Sequence, residues 1–172
     1  MILYNNAFDL YHTIFRMLHL LNKANEDRII EVDRIRIWDY YLLFTNEILK
    51  IKPKRNERVF KDLLKELNVK NNNPYQQIYD SKKALEKIKP YQMTALNCLA
   101  SYNIIDKDSL LREEIKISSS ELLRKYVESV GDLSNREKNI VAIMTSVFID
   151  ISLVGDNGLK KRSKLIEYKY DE

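Results

Sequence analysis

A mainly α protein with short β wings, built as tandem winged-helix-like units plus C-terminal helices, is the fold class this sequence predicts. Three observations carry that prediction. Apolar residues recur at helical spacing through most segments. Only three Gly and three Pro interrupt 172 residues, so forced breaks are few. One polar string, NVKNNNP from Asn68 to Pro74, has no apolar partner and is the clearest boundary. It divides the chain into an N-terminal helical, winged-helix-like unit (residues 1–70) and a second unit (residues 74–172). The second unit joins a winged-helix-like part to a C-terminal helical pair and tail.

Composition narrows the function classes. A hydrophobic content of 45% supports a packed core, and 31% charged residues suit a helix-rich soluble chain. The net charge of +4 permits an anionic partner without requiring one. A single cysteine, Cys98, excludes an internal disulfide and a cysteine-built zinc site. The start MILYNNAFDLYH lacks the basic, apolar pattern of a secretory leader. The most apolar run, Ile140 to Val154, is interrupted by Thr145, Ser146, Asp150 and Ser152, and is shorter than the ~18 residues of a membrane span. A cytoplasmic protein with no membrane contact is the expectation.

The first helix is expected from Ala7 to Leu21, capped by Asn6. At about 100° per residue, Phe8, Tyr11, Phe15 and Leu18 fall on one edge of an apolar half. Ala7, Leu10, Ile14, Met17 and Leu21 complete that half, while Asp9, His12, Thr13, Arg16 and His19 take the opposite, polar side. So wide an apolar surface marks a central helix. A second helix opens at Val32-Asp33, with Ile35, Trp38, Tyr41 and Leu42 recurring at helical spacing. Pro53 breaks the basic connection KIKPKRNER, and a third helix follows from Glu57 to Leu67. Its buried face is read as Val59, Phe60, Leu63, Leu64 and Leu67.

In the second half Asp80 is expected to cap a short helix ending near Ile88. Pro90 then starts another that reaches Tyr102. After a polar turn at Asp106 to Ser109, Leu110 to Ile117 has the β-branched end of a short strand. Helix, helix and strand in that order give the winged-helix expectation. Two capping boxes, Ser118-x-x-Glu121 and Ser134-x-x-Glu137, open helices over 119–130 and 135–154. Between Ile140 and Ile151 the latter is apolar nearly all round, so it must be covered by this chain or by a partner. Ile140, Met144, Val147 and Phe148 are its candidate partner-binding residues. The turn GDNG follows, and Leu165, Ile166, Tyr168 and Tyr170 suggest a terminal strand.

The residues of catalysis do not assemble in the sequence. No Gly-rich loop cradles phosphate, and His12 and His19 are seven apart rather than at metal-pair spacing. A serine nucleophile has no histidine base among its neighbours. The expectation is no enzyme activity, no metal and no cofactor. Basic residues, by contrast, cluster. Lys50, Lys52, Lys54, Arg55, Arg58, Lys61 and Lys65 form a candidate nucleic-acid-binding stretch suited to phosphate contact without base reading. Further groups lie at Lys82, Lys83, Lys87 and Lys89, and at Lys160 to Lys164. The helix from Tyr91 to Tyr102 has no Lys or Arg, leaving Gln92 and Asn97 as its readers of base edges. That weighs against the alternative of a free-standing winged-helix DNA-binding regulator.

The string YNNAFDLYHTIFRMLHLL, followed by IEVDRIRIWDYYLLF, resembles the middle components of three-component ABC-ATPase (ABC-3C) conflict systems. That group includes the small third subunit of Lamassu-type antiphage systems. The likeness continues through NPYQQIYDSKKALEKIKPYQMTALNCLASYNIID and, more loosely, SNREKNIVAI. The resemblance implies a non-enzymatic accessory or scaffold subunit. Its implied partners are an SMC/Rad50-like ABC ATPase and an effector such as a nuclease; DNA backbone is a further contact that the basic stretch suggests.

Overall fold

The computed structural model describes residues 5–24, 27–67 and 78–167. The expected divide at 68–74 lies outside the described residues. The expected first helix is split. The Asn5 side chain accepts from the Ala7 amide and caps a 3-10 turn, Asn6–Phe8. Asp9 is extended, and its carboxylate caps helix α1 (Leu10–Lys23) by accepting from the His12 amide at 2.8 Å. Capping therefore moves from Asn6 to Asn5 and Asp9.

Strand β1 (Ile30–Glu31) leads directly into helix α2 (Val32–Leu43), which begins where the sequence places it. A 3-10 segment, Thr45–Lys50, precedes helix α3 (Arg58–Glu66). On α3 Phe60 is fully buried and Leu63 and Leu64 are half-buried, but Val59 is 61% exposed. Helix α4 runs unbroken from Ser81 to Ser101 with Pro90 inside it, where two helices are expected. Pro90 forfeits a backbone bond, a cost of about 3 kcal/mol in a helix interior. Leu85 and Ile88 before it, and Leu96 and Leu99 after it, are all buried on one face. At about 1.5–3 kcal/mol per large apolar side chain, their burial outweighs the break.

Helix α5 (Lys107–Leu111), capped by Asp106, occupies the expected polar turn and strand start. Strand β2 is only Glu114–Ile115, and it pairs antiparallel with β1, Ile30 opposite Ile115. Among the described residues this two-stranded ladder, extended by an Ile105–Ile117 bridge, is the sheet structure. Helix α6 (Ser120–Val130) is capped by Ser119 rather than by a Ser118 box, whereas the Ser134–Glu137 box opens helix α7 (Asn135–Ser146) as expected. Helix α7 stops eight residues early and passes into a 3-10 turn, Phe148–Asp150. Gly155 turns the chain at φ +92°, and helix α8 (Leu159–Ser163) follows Gly158, whose Cβ would strike the Val154 carbonyl. Leu165 is buried and Ile166 half-buried outside any strand; Tyr168 and Tyr170 lie outside the described residues.

Buried side chains from before and after residues 68–77 form one cluster, with Trp38, Tyr40, Phe60 and Phe148 its largest members. Helix α1 packs on α4 above all, and also on α6, α2 and α7. That makes it the central helix, but rotated from the expected setting. Thr13, Arg16 and His19 point inward at 0%, 4% and 7% exposure, while Phe8 and Tyr11 are 45% and 60% exposed.

The rotation has an electrostatic cause. The Arg16 guanidinium donates to both oxygens of Asp39 on α2, at 2.6 and 3.3 Å, and to the Thr13 hydroxyl. Asp39 is fully buried and also accepts from the Gln92 amide of α4 at 2.9 Å. Gln92 donates as well to the Arg36 carbonyl and accepts from the Arg36 side chain. Arg36 in turn holds Asp33 and Glu86. Three helices are thereby fixed through one desolvated carboxylate. Removing one partner of such a pair costs about 3–5 kcal/mol, whereas exchanging both for apolar residues often costs little. Denaturant midpoints should therefore fall sharply for Asp39→Leu alone and recover in part when Arg16→Met is added. A single variant no less stable than the double variant would contradict this role.

Candidate functional site

The basic stretch begins on Lys50, which the structure commits to the fold. Its ammonium donates to Glu47 at 2.6 Å and to the Ser81 hydroxyl at 3.1 Å. Glu47 is buried and also receives the Ser81 and Tyr40 hydroxyls. These contacts tie the Thr45–Lys50 turn to the start of α4.

Beyond Ile51, which is buried, residues 52–57 form a loop held at both ends. The Lys54 amide donates to the Glu57 carboxylate at 2.7 Å, and Lys61 donates to the Arg55 carbonyl. Arg162 of α8 grips Glu57 through two bonds of 2.7 and 2.8 Å and reaches the Lys52 carbonyl. The bond to Arg162 holds the Glu57 carboxyl below the usual glutamate range, against a smaller opposing effect of burial. Lys52, Lys54, Arg55 and Arg58 are left exposed, without an ion-pair partner among the described residues. Lys65 pairs with Asp62. Of the seven basic residues, four thus stay outside any ion pair among the described residues on a braced loop and its following helix, Lys54 within electrostatic reach of Glu57.

Sequence reasoning missed the brace, because nothing in the spacing of Glu57 and Arg162 connects them. It also counted Lys160 to Lys164 as one basic group. Within it Lys160 pairs with Asp33 at 3.1 Å, Lys161 with Asp156 at 2.5 Å, and Arg162 with Glu57.

The α7 residues sit differently from the basic loop. Ile140, Met144 and Phe148 are completely buried and Val147 is half-buried. Phe148 meets the edge of Phe60 at 5.3 Å, and Arg34 donates to the carbonyls of Phe148 and Ile151. The chain itself covers most of this apolar helix. Gln92 is likewise in the core, which removes it from contact with bases.

Between the end of α1 and helices α6 and α7 lies a cleft of about 680 Å³, with Val127, Leu133 and Val141 among its apolar lining and Lys23 and Lys138 among its charged lining. His19 lines it too, with Nε2 2.9 Å from the Gly131 carbonyl, so this buried histidine tethers the α6–α7 connection. Among the described residues no group of three or more His, Cys, Asp or Glu is placed to hold a metal. Nor is any described helix long and apolar enough to cross a membrane.

A family model for ABC-three component (ABC-3C) system Middle Component 5 matches residues 2–171. The chain belongs to this family. No curated protein and no solved structure matches it. A middle component is one part of a multi-component system, so membership implies partner components and is consistent with an accessory subunit.

The brace of this middle component makes a pH prediction. A carboxyl whose folded pKa is lowered stabilises the fold above its unfolded pKa, and the contribution is lost as pH falls through the folded value. Protection of residues 52–57 from hydrogen exchange should therefore drop as pH falls below the usual glutamate range. In Glu57→Gln it should be low already at neutral pH, with about 1–3 kcal/mol of charged hydrogen bonding removed. Equal protection in the variant at neutral pH would refute the brace.

Proposed function

We propose that the chain is a non-enzymatic subunit linking an SMC/Rad50-like ABC ATPase to an effector such as a nuclease, in Lamassu-type bacterial defence against phage or plasmid DNA. The match to a middle-component family across residues 2–171 carries this reading. In it the subunit works in the cytoplasm and helps hold the effector inactive until foreign DNA is sensed. The braced loop supplies the DNA contact: Lys52, Lys54, Arg55 and Arg58 have exposed charge to offer phosphates, with Lys61 and Lys65 beside them on α3 and Lys50 at the base.

The same reading takes residues 1–70 and 74–172 as tandem winged-helix-like units, by analogy with the small subunits of SMC complexes. The α4–α5–β2 order supports the second unit. Just past α7, Val147 is the member of the partner-binding set with surface to offer, and Ile140, Met144 and Phe148 would support it from beneath. A free-standing regulator reading is weakened by the burial of Gln92.

Replacing Lys52, Lys54, Arg55 and Arg58 by Glu tests the DNA contact. DNA affinity of the assembled complex should fall about equally across sequences, and the salt slope should shrink by roughly one unit for each phosphate no longer neutralised. Size exclusion should show the complex with the ATPase intact. Failure of assembly, with normal DNA binding by the complex that survives, would assign the loop to a protein partner instead.

A further inference from the structure

Some lysines of this protein are bound to carboxylates: Lys65 to Asp62, Lys82 to Glu167, Lys160 to Asp33 and Lys161 to Asp156. On α4, among the described residues, only Lys82 is paired in this way. Lys83, Lys87 and Lys89 are exposed, with no ion-pair partner among the described residues. Glu86, the acid within the run, is taken by Arg36. Lys83 and Lys87 stand four apart, a like-charge spacing that disfavours a helix. The first turn of α4 holds no acid to balance them. The N-cap Asp80 stands just ahead of that turn, its carboxylate accepting from the Lys83 amide at 2.9 Å.

The same ridge continues, four residues on, to Tyr91. Against the Tyr91 ring lies Phe8, with centroids 5.7 Å apart and planes at 58°. Phe8 is 45% exposed, and Tyr11, three residues further, is 60% exposed. The platform is rigid, since Gln92, next to Tyr91, is locked into the Arg36–Asp39 network. From Lys83 to Tyr91 the ridge spans about 12 Å, at 1.5 Å per residue.

Two kinds of macromolecule could cover cations beside a half-buried Tyr91 ring and the exposed Phe8 ring. Protein interfaces favour Arg and deplete Lys, yet every unpaired cation on this ridge is Lys. Single strands combine phosphates with unstacked base faces, which aromatic side chains bind without regard to sequence. A duplex keeps those faces inside its own stack and offers the rings nothing.

We propose that the Lys83–Lys87–Tyr91 ridge of α4, together with Phe8, binds single-stranded nucleic acid, with phosphates on the lysines and unpaired bases on the rings. This surface is separate from the 52–58 loop and does not depend on the DNA contact proposed there.

Fluorescence anisotropy of the full chain with labelled oligo(dT), oligo(U) and a hairpin duplex tests it. Wild type should bind one or both single strands, and Phe8→Leu/Tyr91→Leu, which keeps apolar bulk but removes both rings, should weaken that binding about tenfold or more. Duplex binding should be unchanged, and Phe8→Trp alone should retain single-strand affinity. The exposed double change Lys83→Gln/Lys87→Gln should lower the single-strand salt slope by about 1.4 units. It carries the test if the ring variant fails to fold. Absence of single-strand binding by wild type overturns the proposal, as does single-strand affinity unchanged in the folded ring variant. Equal losses for single strand and duplex in the ring variant overturn it as well. Loss of a co-expressed protein component from the ring variant, with oligonucleotide affinity intact, assigns the surface to a protein and also overturns it.

Discussion

The buried contact between Arg16 and Asp39 sets the geometry on which the other helices depend. A fully enclosed carboxylate must be matched by donors, and here they come from α1 and α4 while the acid sits on α2. Helix α1 could bury its aromatic edge or its arginine edge, and the Asp39 carboxylate decides for the arginine. Once Arg16 turns inward, Thr13 and His19 go with it and Tyr11 faces the surface, while Phe8, on the separate 3-10 turn, is 45% exposed. A core interaction thus determines which edge of α1 faces solvent. Such a pair adds little net stability over an apolar substitute, but it tolerates few alternative rotations of α1.

The parts of the fold legible in the sequence are those governed by local signals. The Ser134–Glu137 box and the GDNG turn follow from capping and turn chemistry within a few residues, and the start of α2 at Val32 from helical apolar spacing with Asp33 in its first turn. The misreadings share a different cause. A helical wheel sends charged residues outward, so it cannot find an arginine whose partner is 23 residues away, or a histidine bonded to Gly131. Pro90 reads as a helix start because its cost is local, while the burial that overrides it comes from α1 and α2. Strand β1 is two residues long, too short for any periodicity, and exists because β2 completes its bonds.

The candidate site divides along the same line. That residues 50–65 are basic is plain from the sequence. Which of them remain available is decided locally by Glu47 and Asp62, each pairing with a lysine three residues on, while the fold gives Glu57 to Arg162. Charge density along a chain therefore overstates an interface. Here it overstates the 160–164 group most, since its Lys160, Lys161 and Arg162 serve three carboxylates of this chain. The α4 group, also read from the sequence as basic, loses only Lys82 to a carboxylate and keeps Lys83, Lys87 and Lys89 outside any ion pair among the described residues.

Membership of a middle-component family places the chain within an assembly, and its surfaces gain meaning from what they join. The central claim is that this subunit connects an ATPase to an effector. Co-expression of the three components, with and without this chain, followed by native mass spectrometry, measures that connection directly. The account predicts an ATPase–effector complex when the chain is present and separate ATPase and effector when it is absent. An ATPase–effector complex that forms equally well without the chain would contradict it.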